Sequence, residues 1–209
     1  MIINVGRQLG SGGRTIAARL AERFGYRFYD RELLNLAAKE SGFCEEFFER
    51  NDENKNFFKS VFHLHVPHMS DSSFYNNNLS QESLFKFQSD AIRKAAETGA
   101  CVFVGRCADY VLRDRDDMIN IFITANEDDR IKRIRERSGC EEAEARKRIS
   151  KGDSERASYY NYYTGKKWGH SESYDLCVNS SILGIDATVD YIACFIERAM
   201  SAGDVATDK

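Results

Sequence analysis

The 209-residue sequence lacks four things: a long apolar run, a CxxC pair, an excess of positive charge, and all but one proline. No stretch approaches the roughly 18 apolar residues of a membrane span, so no transmembrane helix is expected. Without a CxxC pair, the six cysteines offer neither a zinc-ribbon spacing nor a dithiol redox motif. Cys101, Cys177 and Cys194 lie in apolar stretches and read as small buried hydrophobes of a reducing cytosol. The formal net charge is -3, which excludes a global positive field for duplex nucleic acid and leaves no nucleic-acid or membrane partner to expect. The N-terminal MIINVGRQ has no basic region before a long apolar segment, so no signal peptide is read and a cytoplasmic location is expected. The single proline, Pro67, falls in HLHVPH, whose His63, His65 and His68 have no Cys, Asp or Glu at a matching spacing; the segment reads as a loop or short strand rather than a metal site.

What is present is the rhythm of a parallel α/β sheet. IINVG (2–6) reads as a buried strand, RTIAARLAERFG (14–25) as a helix, and YRFYD (26–30) as a second strand before a second helix at 31–42. In the first helix Ile16, Ala17, Leu20, Ala21 and Phe24 keep the 3.6 period, and Gly25 suits its stop. Residues 43–79 break the rhythm with Phe, Asn and charge, and read as an irregular, partly helical insertion. Order returns with Ser80 as an N-cap and a helix up to Gly99. ACVFVG (100–105) and MINIFIT (118–124) are continuous apolar strands, as expected inside a parallel sheet. Asn126 can cap the helix that carries Arg130 to Arg137, and after SGC (138–140) comes a charged, mostly helical stretch. YDLCVNSS (174–181) is the last strand, residues 185–200 form the closing helix, and the tail is expected to fray.

The first loop carries the most information. GRQLGSGGRT (6–15) joins a buried strand to a helix N-terminus, where backbone N–H groups and the helix dipole converge on an anion. The lysine that ordinarily follows the last glycine of a phosphate loop is missing. Two registers are open. In one, Gly13-Arg14-Thr15 takes the place of Gly-Lys-Thr, so Arg14 is the catalytic cation and Thr15 holds Mg²⁺. In the other, Gly12 is the last loop glycine and Gly13 replaces the lysine, so the cation comes from Arg7 or from an arginine of a lid. FVGRCAD (103–109) puts Arg106 just past the carboxyl end of a buried strand, the edge where ligands of such sheets bind, and FYD (28–30) puts Asp30 at the same edge. A guanidinium there can fork onto a phosphate. Arg130 and Arg133 share one helix face, as do Asp153 and Arg156. An arginine-bearing helix pair could close as a lid over a moving phosphoryl group.

In this order the motifs resemble the cytidylate kinases, and specifically their divergent cytidylate kinase-like branch, whose members open with RQxGSGGR and FYD. The similarity covers about 1–40 and 80–200. It implies the fold of the P-loop nucleoside monophosphate kinases: a three-layer α/β domain with about five parallel strands, helices on both faces, a monophosphate-side insert (43–79) and a lid (127–165). It also implies transfer of the γ-phosphoryl of ATP to CMP or dCMP with Mg²⁺. Carried over, Gly10, Ser11, Gly12, Gly13, Arg14 and Thr15 would cradle the ATP phosphates, and Arg130 and Arg133 would enter the lid as catalytic arginines. Asp30, Arg106, Asp153 and Arg156 would serve the acceptor. Two departures stand out: Cys107 replaces the aspartate after Arg106, and RASYYNYY (156–163) replaces the family's sequence after DxxR. A kinase for a different small acceptor, or a weak nucleotide-binding protein on the same fold, are the alternatives.

Overall fold

A computed structural model describes residues 1–30 and 78–207. The predicted helix at 31–42, nearly all of the 43–79 segment with its three histidines, and Cys44 lie outside the described residues. The chain forms two compact units, residues 1–30 with 99–209 and residues 31–98.

In the larger unit five strands form one wholly parallel sheet: β1 (Ile2–Arg7), β2 (Arg27–Tyr29), β3 (Cys101–Phe103), β4 (Met118–Thr124) and β5 (Leu176–Asn179). Their order across the sheet is β2-β3-β1-β4-β5, which puts β1 in the centre. β1 pairs with β4 along its whole length, from Ile2 beside Met118 to Arg7 beside Ile123. The sheet therefore ends in one carboxyl edge formed by Arg7, Tyr29, Phe103 and Thr124.

Alternation divides the sheet residues between two faces. Ile3, Val5, Ile119, Ile121 and Ile123 point to one face and join Ile16 and Leu20 of α1 (Gly13–Phe24) in the main core. Ile192 and Ile196 of the last helix, α6 (Ser180–Thr207), complete it. Each of these side chains is worth about 1.5–3 kcal/mol of burial, and this cluster fixes α1 and α6 beside one another on one face. On the opposite face Phe122 packs edge-on to Trp168 (ring centroids 5.2 Å) and against Tyr174 (4.8 Å). Gly6 lies beneath these rings, where a Cβ would come 2.7 Å from the Phe122 ring.

A second, smaller core holds the charged helix pair together. Ile131 and Ile134 of α4 (Glu127–Ser138) meet Ala145 and Ile149 of α5 (Glu142–Thr164), and Leu9 and Cys140 pack against them. Helix α3 (Ala108–Val111) is a single turn after β3, and Ser171–Ser173 is a 3₁₀ turn before β5; the sequence reading had neither. The smaller unit is described through helix α2 (Asn78–Glu97).

Several expectations are corrected. α2 begins at Asn78, two residues before the expected cap Ser80. Asn126 stands at the N-cap position of α4, but its side-chain oxygen accepts from Asn179 Nδ2 (2.9 Å) instead of capping the helix. The last strand ends at Asn179, not at residue 181; a helical segment from Ser180 runs to the non-helical Gly184 (φ 74°), after which the closing helix continues from Ile185, where it was expected. Cys101 and Cys107 are buried, but Cys177 and Cys194 are exposed: Cys177 lies on the edge strand β5, and Cys194 on the outer side of α6 between the buried Ala193 and Ile196. A hydrophobic neighbourhood in sequence did not distinguish the two faces of those elements.

Candidate functional site

Residues 8–12 leave the end of β1, and every carbonyl in that stretch accepts a hydrogen bond. The Gln8 carbonyl accepts from Ser11 Oγ (2.9 Å), and the Leu9 carbonyl from Arg130 Nε (2.8 Å). The Gly10 carbonyl accepts from Arg133 Nη1 (3.1 Å), and the Ser11 carbonyl from the buried Ser180 Oγ (2.7 Å). The Gly12 carbonyl accepts the first helical bond, from Ile16 N (3.0 Å). At the N-terminus of α1 the N–H groups of the first turn lack a carbonyl four residues back; that of Gly13 donates to Ser11 Oγ (3.4 Å), and those of Gly12, Arg14 and Thr15 complete the turn. Gly10 (φ 81°) and Gly12 (φ 78°) take the left-handed conformation this path requires. The loop thus has the form of an anion cradle.

The loop is also docked on the helix pair. Leu9 places its side chain in the small core of α4 and α5. Its N–H donates to Asp153 Oδ1 (2.7 Å), while Arg130 donates to its carbonyl and forms a close ion pair with Asp153 Oδ2. Arg130 is buried, with 7% of its surface exposed. Asp153 and Arg130, expected to serve acceptor and lid, are therefore engaged with the loop and with each other. Arg156 lies 3.6 Å from Asp153 Oδ1, beyond hydrogen-bond distance, and its Nη1 is buried without a hydrogen-bond partner. Burial lowers the Arg156 pKa, and Arg130 and Arg137 add to that against the pull of Asp153.

At the carboxyl edge of β2, Asp30 is buried and accepts from Arg14 Nε (2.9 Å) and Nη2 (2.6 Å). Arg14, expected as the substitute lysine, is an exposed side chain held away toward Asp30, with Phe28 5.9 Å from its guanidinium. At the edge of β3, Gly105, Arg106 and Cys107 form three consecutive left-handed residues (φ 73°, 60° and 56°). Two of them carry a Cβ, so the turn is strained in the way ligand sites often are. The Arg106 guanidinium lies 5.2 Å from the Tyr159 ring. Between these groups stands Arg7, the last residue of β1. Burial, then Arg156 and Arg106, push its pKa down from the usual arginine range, Asp30 works against this, and Arg14 adds to it.

The sequence-predicted residues thus collect at one sheet edge, but in two sets: Arg130, Arg133 and Asp153 brace the loop, while Arg7, Arg14, Asp30, Arg106 and Arg156 lie around the ends of β1, β2 and β3. The sequence reading missed Leu9 and Ser180. An apolar residue inside a Gly-rich loop was a signal for Leu9; Ser180 is 169 residues from its partner and carried none.

The chain matches the cytidylate kinase-like family over residues 2–182. It belongs to that family. It is 25% identical to a cytidylate kinase of Thermococcus kodakarensis, over all of this chain and 94% of the relative. A crystal structure of an uncharacterized protein from Eubacterium ventriosum superposes with a TM-score of 0.71 at 31% identity, covering 94% of this chain and 98% of the other. A gluconokinase from Sinorhizobium meliloti superposes with a TM-score of 0.57 at 12% identity over 99% and 96% of the two chains, a likeness of fold alone. Family and fold are those of phosphotransferases, and the five-stranded parallel sheet is the one the resemblance implied.

Proposed function

We propose that this protein moves the γ-phosphoryl group of ATP to a nucleoside monophosphate, with CMP or dCMP as the first candidates. The observation that carries this reading is the loop at residues 8–15, whose carbonyls from Gln8 to Gly12 are each hydrogen-bonded and whose N-terminal helix N–H groups stand beside a cluster of arginines. ATP phosphates would lie on Gly10 to Thr15, and the acceptor phosphate near Arg106 and Arg156. In the transfer the bond between the γ-phosphorus and the β–γ bridging oxygen breaks, an oxygen of the acceptor phosphate forms the new bond, and ADP leaves. A phosphate dianion attacks without giving up a proton, so the site needs positioned positive charge more than a base. Asp30 accordingly has no proton to take; it orients Arg14.

Mg²⁺ fits this site through the nucleotide. Among the described residues no group of three His, Cys, Asp or Glu could hold a metal by itself. Mg²⁺ bound to phosphates needs few protein ligands, and Thr15, exposed in the first turn of α1, offers a hydroxyl there. Bound Mg²⁺ would neutralise charge on the phosphates.

A coupled ADP-release assay with ATP, Mg²⁺ and each nucleoside monophosphate tests the reading. Turnover with CMP or dCMP is expected. Turnover with no monophosphate would reject it, and turnover only with a non-nucleotide acceptor would move the protein to another substrate on the same fold.

A further inference from the structure

We propose that Arg7 is the phosphate-binding cation that this chain uses in place of a loop lysine, and that position 13 is glycine because the Arg7 side chain fills the space a lysine would need. The proposal rests on the phosphoryl-transfer reading and assigns the loop register left open by the sequence.

Three observations carry it. First, the start of α1 sets the register. Gly12 is the N-cap and Gly13 the first helical residue, so Gly13 stands at the position directly after the last loop glycine. Second, Arg7 crosses that position. A Cβ on Gly13 would come 2.5 Å from Arg7 Cβ and 3.1 Å from its Cγ, and one on Gly105 would collide with Arg7 Nη1. Gly13 is not in the left-handed region, so conformation alone does not demand glycine there; the close approach of Arg7 does. The side chain therefore runs from the end of β1 across the head of α1 to the strained turn after β3. Third, the only other candidate in the loop is committed elsewhere, because Arg14 donates through both Nε and Nη2 to Asp30.

The chemistry agrees with the placement. Arg7 shares its surroundings with Arg156, Arg106 and Arg14, with Asp30 as the opposing charge. Cations crowded together on a buried edge repel one another, and a polyanion between them relieves that cost. From β1 the guanidinium lies between the loop, where the donor phosphates would bind, and Arg106 and Arg156 on the acceptor side. It can fork onto two oxygens of the phosphoryl in transit, which a lysine ammonium cannot do. Arg7 gives and takes no proton; it supplies charge.

The test compares Arg7→Ala, Gly13→Lys, the double variant and Arg14→Ala. It reads kcat and KM with the best monophosphate acceptor, calorimetric binding of inorganic tripolyphosphate, and Tm. Arg7→Ala is expected to lower kcat about 10²- to 10³-fold, the scale of a lost charge-stabilising donor, without lowering Tm. Arg14→Ala is expected to lose at least about tenfold less. Gly13→Lys is expected to be poorly active because its side chain meets Arg7, whereas the double variant regains at least about tenfold in kcat over Arg7→Ala. An Arg7→Ala enzyme within about threefold of the parent, an Arg14→Ala loss as large, or a double variant no better than Arg7→Ala would each overturn the proposal. If the parent turns over no acceptor, the phosphoryl-transfer reading fails. Tripolyphosphate binding still decides this one: a loss of about tenfold or more in Arg7→Ala supports it, and unchanged binding overturns it.

Discussion

Asp109 is a carboxylate almost without solvent, placed in α3 two residues beyond Cys107. It accepts a hydrogen bond from Tyr160 Oη (2.7 Å), and Lys166 Nζ is 3.9 Å away. Burial raises its pKa, against the pull of Tyr160 and Lys166. For an acid raised in the folded state, the stabilising contribution is complete below the unfolded carboxylate pKa and is lost as pH rises through the folded one. Asp109→Asn removes that loss and still accepts from Tyr160, so Tm at pH 7–8 is expected to equal or exceed the parent's, with a flatter decline above pH 4. A loss above about 2 kcal/mol at pH 7 in chemical denaturation would mean that the fold needs the anion. Tyr160→Phe leaves the carboxylate short of a partner and is expected to cost about 1–3 kcal/mol. At this scale the sequence showed which residues carry charge, but not their partners. Arg14 and Asp30 are 16 positions apart and were read for opposite substrates, yet they bind one another.

Among the elements, the contact with most leverage is the one between the loop and the helix pair α4–α5. Leu9 is held three ways: by its side chain in the small core, by its N–H on Asp153, and by its carbonyl under Arg130. Any displacement of α4 and α5 is thereby transmitted to the loop. Asp153→Ala takes away the Leu9 N–H acceptor and leaves Arg130 buried without its counter-charge. It is expected to cost about 3–5 kcal/mol, the scale for breaking a buried pair, and to weaken ATP binding as the loop loosens. Asp153→Asn keeps an acceptor for Leu9 and is expected to recover part of the ATP affinity while still losing stability. Denaturant titration and ATP calorimetry on both variants check this; equal ATP affinity in the two would show that the Leu9 bond does not position the loop. The charged helix pair, which in the structure packs through Ile131, Ile134, Ala145 and Ile149, was itself legible in the sequence. That the face they form would receive Leu9 was not, because the loop and the second helix are separated by more than 130 residues.

For the molecule as a whole, function and stability are linked through the crowded arginines at the carboxyl edge. A ligand that binds only the folded chain stabilises it by RT ln(1 + [L]/Kd), about 2.7 kcal/mol at a hundredfold excess over Kd. MgATP at that excess is expected to raise Tm by several degrees, and amide exchange at residues 8–15 is expected to slow. Mg²⁺ alone, without the nucleotide, is expected to do neither, because its fit here runs through the phosphates. A Tm unmoved by MgATP would count against a nucleotide site at this loop.

By itself the sequence determined the parallel α/β class, the family, the five strands and the glycine loop that opens the chain. These are local or periodic properties: apolar runs, a 3.6 period and a turn that only glycine fits. Only the tertiary structure decided how the arginines divide their work. Strand order brings the ends of β1, β2 and β3 side by side, so Arg14 meets Asp30, and Arg7 crosses Gly13 and reaches Gly105. The packing of α4 on α5 turns Arg130 and Asp153 toward Leu9. A guanidinium has one charge to place, and which anion or carbonyl it meets depends on neighbours as far as 121 and 123 positions away for Arg130 and Arg133, which neither spacing nor periodicity encodes.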